Sequence, residues 1–171
     1  MTDLEGVEIV DVPRDRRQEL FQILEESFEG WYLRHSQRML QELETVRAAT
    51  SSGRPLGLIM LKMLEKDSGY VFYVAVARSS RRRGVGKLLL RDAIERFRAA
   101  GVAEVFASVE GDNEASERLF ESEGFARTSF GEVSRTHGPL QAINMYRLMV
   151  VVPGEILLRR PTQQHSSPDP A

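Results

Sequence analysis

The chain has 171 residues and a formal net charge of -2. That length supports one domain of ordinary size with a real core, and the near-balanced charge argues against nucleic acid or an anionic membrane as its partner. The absence of cysteine excludes disulfides, thiolate metal sites and a cysteine nucleophile.

Residues 7–12 alternate weakly and read as an edge strand stopped by Pro13. Residues 14–28 are predicted to be a helix, with Leu20, Phe21, Ile23, Leu24 and Phe28 on its apolar face and Gly30 as its break. Residues 31–43 form a second amphipathic segment. Residues 45–49 read as a short strand and residues 51–55 as a turn. The apolar run 56–64 leads through a charged hairpin turn into the aromatic and β-branched run 70–77, a buried strand.

The loop that follows holds three arginines and two glycines, and it feeds a helix over 88–100 with Gly101 as its cap. A glycine-containing loop at a helix N-terminus aims several backbone N–H groups at one spot, and the helix dipole favours an anion there. The loop is not a P-loop, because no Ser or Thr follows Lys87, and two glycines do not make a dinucleotide fingerprint. Read on its own, it is either such an anion cradle or simply a basic turn between strand and helix. Residues 102–109 are a second buried strand, expected to pair parallel to 70–77 across the helical crossover. Residues 114–123 form a short helix ended by Gly124. Residues 125–130 and 140–152 are predicted to be two final antiparallel strands, joined around His137-Gly138-Pro139. The Pro- and Ser-rich end, 159–171, reads as a disordered tail, leaving residues 1–158 as one folded domain.

Arg81-Arg82-Arg83-Gly84-Val85-Gly86 resembles the pyrophosphate loop of the GCN5-related N-acetyltransferases, and Asn113 to Phe120 followed by Gly124-Phe125 resembles that family's second motif. The resemblance covers residues 70–125. It implies an α+β fold with a mostly antiparallel twisted sheet of six to seven strands, a splayed parallel central pair and about four flanking helices. It also implies acetyl-CoA as co-substrate. By that resemblance the backbone of Val74, Ala75 and Val76 pairs with the pantetheine arm. The pyrophosphate lies over the amides of Arg82, Arg83, Gly84, Val85, Gly86 and Lys87, with Arg81 in the same motif. Asn113, Ser116 and Phe120 complete the cofactor wall, Asn113 being either a helix cap or a ligand to the cofactor arm. Phe28, Trp31 and Tyr32, between the first two helices, are either acceptor contacts or core aromatics.

The sequence departs from the family at two catalytic positions. Phe120 stands where many members carry a tyrosine acid, and Ser108 where some carry a glutamate. Tyr73, Glu110, Tyr146 and His137 are the substitutes the sequence offers, each with an alternative place as a strand aromatic or a solvated turn residue. The expected reaction is attack of a primary amine, on a small molecule or a peptide N-terminus, on the acetyl thioester. The competing expectation is a non-catalytic acyl-CoA-binding domain, motivated by the same two empty positions. The family often dimerises through its C-terminal strands, so a homodimer would use residues 140–152. The three histidines show no ligand spacing and no metal is expected. With no apolar run near ~20 residues and an acidic start, the chain reads as soluble and cytoplasmic, with no membrane partner.

Overall fold

A computed structural model describes residues 4–65 and 67–163. In chain order they form β1 (Val7–Asp11), a 3-10 helix (Arg14–Leu20) running into α1 (Phe21–Ser27), and α2 (Gly30–Glu42). There follow β2 (Thr45–Ser51), β3 (Arg54–Glu65), β4 (Ser68–Val76), a 3-10 turn (Arg78–Ser80) and α3 (Val85–Ala99). The last elements are β5 (Glu104–Glu110), α4 (Glu114–Ser122), β6 (Ala126–Arg127), α5 (Phe130–His137), α6 (Pro139–Met149) and β7 (Glu155–Pro161).

The strands make one sheet in the order β1-β2-β3-β4-β5-β7-β6, antiparallel except for the β4–β5 pair. Apolar side chains on the two faces of the strands bury two separate clusters. On one face Leu24, Leu40, Tyr70, Phe72, Phe106 and Met145 pack with α1, α2, α5 and α6. On the other, Val71, Leu89, Leu90, Phe97, Val105 and Phe120 pack with α3 and α4. Arg17, only 2% exposed, locks α2 in place by donating to the carbonyls of Val12, Leu40, Leu43 and Glu44. Leu40 is in the last turn of α2 and Leu43 is its C-cap, where carbonyls lack helical partners.

The sheet opens at its centre. β4 and β5 pair only from Ser68↔Glu104 to Val71↔Ala107. Beyond that point β4 stays with β3 as far as Val76↔Gly57, and β5 stays with β7 as far as Glu110↔Glu155. A bulge explains where the split falls. Met60 faces Tyr73 and Leu61 faces Val71, so Phe72 is the extra residue on β4. A bulge bends and over-twists its strand, and this one follows directly on the last parallel pair. Phe72 and Tyr73 in consequence point to the same face, both packing on the cluster under α1, α2 and α6.

Most predicted elements stand within a few residues of their expected ends, but the C-terminal third differs. Residues 140–152, read as a strand, hold α6 and the connection after it. The buried residues there, Ala142, Met145 and Met149, are three and four apart, which is helical spacing. Pro139 at the first helical position starts the helix, as a residue whose missing N–H costs nothing there. Residues 125–130 shrink to the two-residue β6, because Ser129 and Glu132 form a capping box that opens α5. The described residues therefore contain six α-helices rather than about four, and residues 140–152 offer no strand edge for a dimer. The last strand is β7, which runs past the boundary expected at Leu158 to Pro161. It is held by Leu157 and Leu158 on opposite faces of the sheet. The rest of the expected tail, residues 164–171, lies outside the described residues. Among the described residues no helix is long and apolar enough to cross a membrane.

Val150 ends α6 in the left-handed region, at φ 55°. A β-branched side chain is strained there. Val150→Gly is expected to stabilise the fold by about 1 kcal/mol, read as a higher midpoint in urea with an unchanged slope. An unchanged or lower midpoint would show that the packing of the valine outweighs its strain.

Candidate active site

The gap between β4 and β5 is a cleft. Its floor is Val71, Phe72 and Val74 from β4 with Ser108 and Val109 from β5, and its rim is Phe28, Trp31, Tyr32, Asn113, Ser116 and Phe120. Nine residues singled out in the sequence thus meet here: Phe28, Trp31, Tyr32, Tyr73, Val74, Glu110, Asn113, Ser116 and Phe120. The edge of β4 beyond Val71 has no strand partner on the β5 side. Backbone groups there are available to an extended ligand.

At the β4 end of the cleft lies the arginine loop. Arg82 and Gly84 adopt left-handed conformations, with φ 60° and 84°. The first backbone bond into α3 is Leu88 N–H to Gly84 O, at 3.0 Å. The amides of Val85, Gly86 and Lys87 thus precede any helical acceptor, and no side chain caps this helix. Such uncapped amides, reached through left-handed residues, make an anion-binding concavity. Gly86 serves a different end. A Cβ on it would lie 3.2 Å from Leu119 Cδ2, so glycine lets α3 approach α4, whose Leu119 also lines the cleft.

The three arginines of the motif are not equivalent. All three are exposed, but Arg81 is tied to both β4 and α1 by bonds of its guanidinium. Arg81 folds back as a brace, its guanidinium donating to Val76 O at 3.1 Å, Glu26 O at 2.9 Å and Ser27 Oγ at 3.4 Å. It therefore fixes the loop against the end of α1, where carbonyls lack partners. Lys87 Nζ lies 3.5 Å from Glu123, which also holds Arg91.

The polar groups of the cleft form two sets. In one, the Tyr73 hydroxyl and His35 Nδ1 are 2.7 Å apart. Trp31 stacks on His35 with ring centroids 4.7 Å apart, and Phe28 meets Tyr73 edge-on at 5.0 Å. Burial raises Tyr73 well above the usual phenol range and lowers His35 below the usual imidazole value. Both groups are therefore neutral near pH 7. In the other set, Glu110 and Glu155 are direct cross-strand partners at the open end of β5. Tyr32 donates to Glu155 Oε1 at 3.2 Å, and Val152 N–H donates to Glu155 Oε2 at 3.0 Å. Burial, then Asp112 and Glu155, raise the Glu110 carboxyl above its ordinary value. Burial and the same carboxylates push the Tyr32 phenol up to about 12. Asn113 caps α4 by accepting from Ser116 N–H at 3.2 Å while its residue lines the cleft. Phe120 packs edge-on against Phe125, and Ser108 Oγ is held by the Tyr70 hydroxyl at 2.6 Å.

Two candidates are elsewhere. Tyr146 is on α6, edge-on to Phe130 at 5.1 Å, and does not line the cleft. His137 ends α5 and pairs with the buried Glu104, which also takes Arg159. Glu104 starts β5 and Glu110 ends it, so His137 pairs with a residue about 20 Å along the strand from Glu110 and does not line the cleft. Tyr146 was expected on a strand and His137 in the connection between two strands, whereas both belong to helices. His35 and Glu155 were missed. His35 carried one legible signal, a place four residues after Trp31 on the same helical face. Glu155 carried none, since its strand was not foreseen.

The model of the Acetyltransferase (GNAT) family matches residues 17–125, well over half of the chain. Over 79 residues the chain is 35% identical to the mycothiol acetyltransferase of Gordonia bronchialis, covering 46% of this chain and 26% of that protein. The alignments span only 22% and 26% of the length of the curated relatives it matches. The fold is that of the ribosomal-protein-S18-alanine N-acetyltransferase of Escherichia coli, with a TM-score of 0.69, 17% identity, and coverage of 96% of this chain and 99% of that one. It is also that of the PaiA N-acetyltransferase of Thermoplasma acidophilum, solved with coenzyme A, with a TM-score of 0.67, 11% identity and coverage of 92% and 99%. With the family model spanning both motifs and the sheet split between them, the chain belongs to the GNAT acetyltransferase family.

Proposed function

We propose that this chain is an acetyl-CoA-dependent N-acetyltransferase that acts on a primary amine in the cleft between β4 and β5. Acetyl-CoA is the co-substrate of its family. The observation that carries the reading is the coincidence of three features: an unpaired β4 edge, an uncapped α3 N-terminus beside it, and two polar sets lining the gap. The residues fit the cofactor. The amides of Val85, Gly86 and Lys87 are suited to its pyrophosphate, and the free edge of β4 from Tyr73 to Val76 to its amide-bearing arm.

Bound there, acetyl-CoA supplies a thioester whose acyl carbon is the electrophile and whose thiolate leaves. Glu110 accepts the proton of the incoming ammonium, a role its raised proton affinity suits. As the new C–N bond forms and the C–S bond breaks, Tyr73 gives its proton to the departing sulfur and regains one from the second proton that the nitrogen sheds on becoming an amide. Neutral His35, in the tautomer with hydrogen on Nδ1, donates to the Tyr73 oxygen and leaves the phenolic proton directed into the cleft. Tyr73 thereby fills the role that Phe120 lacks the hydroxyl to perform. Trp31 and Phe28 hold the two rings in place.

The experiment is thiol release from acetyl-CoA across a panel of primary amines, from alkylamines to dipeptides. Amine-dependent release with mass-confirmed N-acetyl product is expected. Tight acetyl-CoA binding with no turnover of any amine would contradict the proposal in favour of a binding domain.

A further inference from the structure

The β5–β7 ladder sets two carboxylates side by side in the cleft. Leu157 lies opposite Ser108 and packs with the cluster under α1, α2 and α6. Side chains alternate along a strand, so two residues on, Glu110 and its cross-strand partner Glu155 face that same side. Both line the cleft. Residues directly opposite in an antiparallel pair have Cβ atoms about 4.5–5.5 Å apart, and like charges there destabilise a sheet. Asp112, just beyond the end of β5, adds a third negative charge that acts on Glu110. The two oxygens of Glu155 are engaged differently. Oε2 accepts from the backbone N–H of Val152 at 3.0 Å, which fixes the carboxylate. Oε1 accepts from the Tyr32 hydroxyl at 3.2 Å, well beyond the ~2.5–2.7 Å usual for a hydroxyl on a carboxylate. That second bond is weak and open to exchange.

We propose that Glu155 binds the acceptor as its ammonium ion, and that the Tyr32 hydroxyl occupies Glu155 Oε1 until the acceptor displaces it. The assignment rests on the acetyltransferase reading of the cleft. An ammonium N–H meets a carboxylate in a charge-assisted bond of ~2.7–2.9 Å, stronger than a long bond from a neutral phenol. A cation beside both carboxylates also offsets the repulsion between them. The two acids then divide the work. Glu155, anchored by Val152, holds the nitrogen, and Glu110 takes the proton that the ammonium must lose. After that transfer the amine keeps an N–H on Glu155, and its lone pair is free for the acyl carbon. The substrate class narrows accordingly. An alkylamine or a peptide α-amine, which is charged at neutral pH, is favoured over an arylamine or a hydrazide, which arrives neutral.

The test uses the complex of the protein with coenzyme A, in which no acetyl group is available for transfer. Calorimetry reads the Kd of benzylamine, a cation at pH 7, and of benzyl alcohol, its neutral counterpart. Benzylamine is expected to bind about tenfold more tightly, as a charged hydrogen bond warrants. Glu155→Gln keeps an oxygen for the Val152 amide and loses the charge. It is expected to abolish that preference and, in turnover, to raise KM for the amine about tenfold while lowering kcat less. Tyr32→Phe separates displacement from a structural tie. Without the hydroxyl to displace, benzylamine is expected to bind about threefold more tightly, the worth of one net hydrogen bond. Weaker benzylamine binding in Tyr32→Phe would make the tie a brace of the cleft wall and overturn the proposal. Equal Kd values for amine and alcohol in the wild-type protein, or a preference undiminished in Glu155→Gln, would overturn it too while leaving the acetyltransferase intact. The expected pattern of Kd values with no turnover of any amine would remove the reaction and keep the ammonium site.

Discussion

Tyr73→Phe is expected to lower kcat by on the order of a hundredfold to ten-thousandfold, the usual worth of a positioned proton donor, with little change in KM for acetyl-CoA. The substitution removes one oxygen and keeps the ring that packs on Phe28, so the fold and the cofactor site remain. Position and protonation state together suit Tyr73 to the role. The bulge turns Tyr73 to the same face as Phe72 and into the cleft. Burial then holds the phenol protonated across the working range. A group that titrated near pH 7 would lose its proton to solvent; this one retains it for transfer. His35 acts through Tyr73, so His35→Ala is expected to reduce kcat less and to leave KM for acetyl-CoA untouched. Steady-state kinetics of the two variants check both statements, and full activity in Tyr73→Phe would transfer the proton role to water.

Glu110→Gln is expected to lower kcat/KM for the amine by on the order of a hundredfold near neutral pH, and by progressively less as the pH rises. The reason is that most primary amines are protonated below about pH 10 and must lose that proton before attack. At high pH the solvent does this and Glu110 is no longer needed. The wild-type profile carries the complementary sign. A protonated carboxyl cannot accept, so the rate rises with pH through the Glu110 titration, and that limb is displaced upward from the ordinary carboxyl value because burial and the neighbouring acids raise it. Asp112→Asn removes one of those charges and is expected to move the limb to lower pH. A Gln variant with the same pH profile as the wild type would exclude Glu110 as the base.

The central part of the molecule was legible because its signals are local. The run from Tyr70 through the arginine loop to Phe97 shows strand, turn and helix in one continuous stretch, and the left-handed φ of Gly84 is what its glycine implied. The splay of β4 from β5 was implied by the family, and its physical cause, the bulge at Phe72, has no sequence signature. A one-residue register shift depends on the partner strand, which the residue itself does not reveal. The C-terminal third failed for a different reason. Residues 140–152 are rich in apolar and β-branched residues at both ends, and the helical spacing of Ala142, Met145 and Met149 was outweighed by Val150-Val151-Val152. That misreading displaced the last strand, and with it Glu155, from the candidate site. The contacts of Arg81 with Val76 O and with Glu26 O, 55 residues away, join distant segments, which the motif itself does not reveal.

The account depends above all on the amides that open α3. Titration of the isotope-labelled protein with coenzyme A, followed by amide chemical shifts, reads them one by one. The largest shifts are expected at Val85, Gly86 and Lys87, with a second group along β4 at Tyr73 to Val76. Saturating coenzyme A that left these amides unmoved, or that shifted a group of residues on another face of the sheet, would contradict the account.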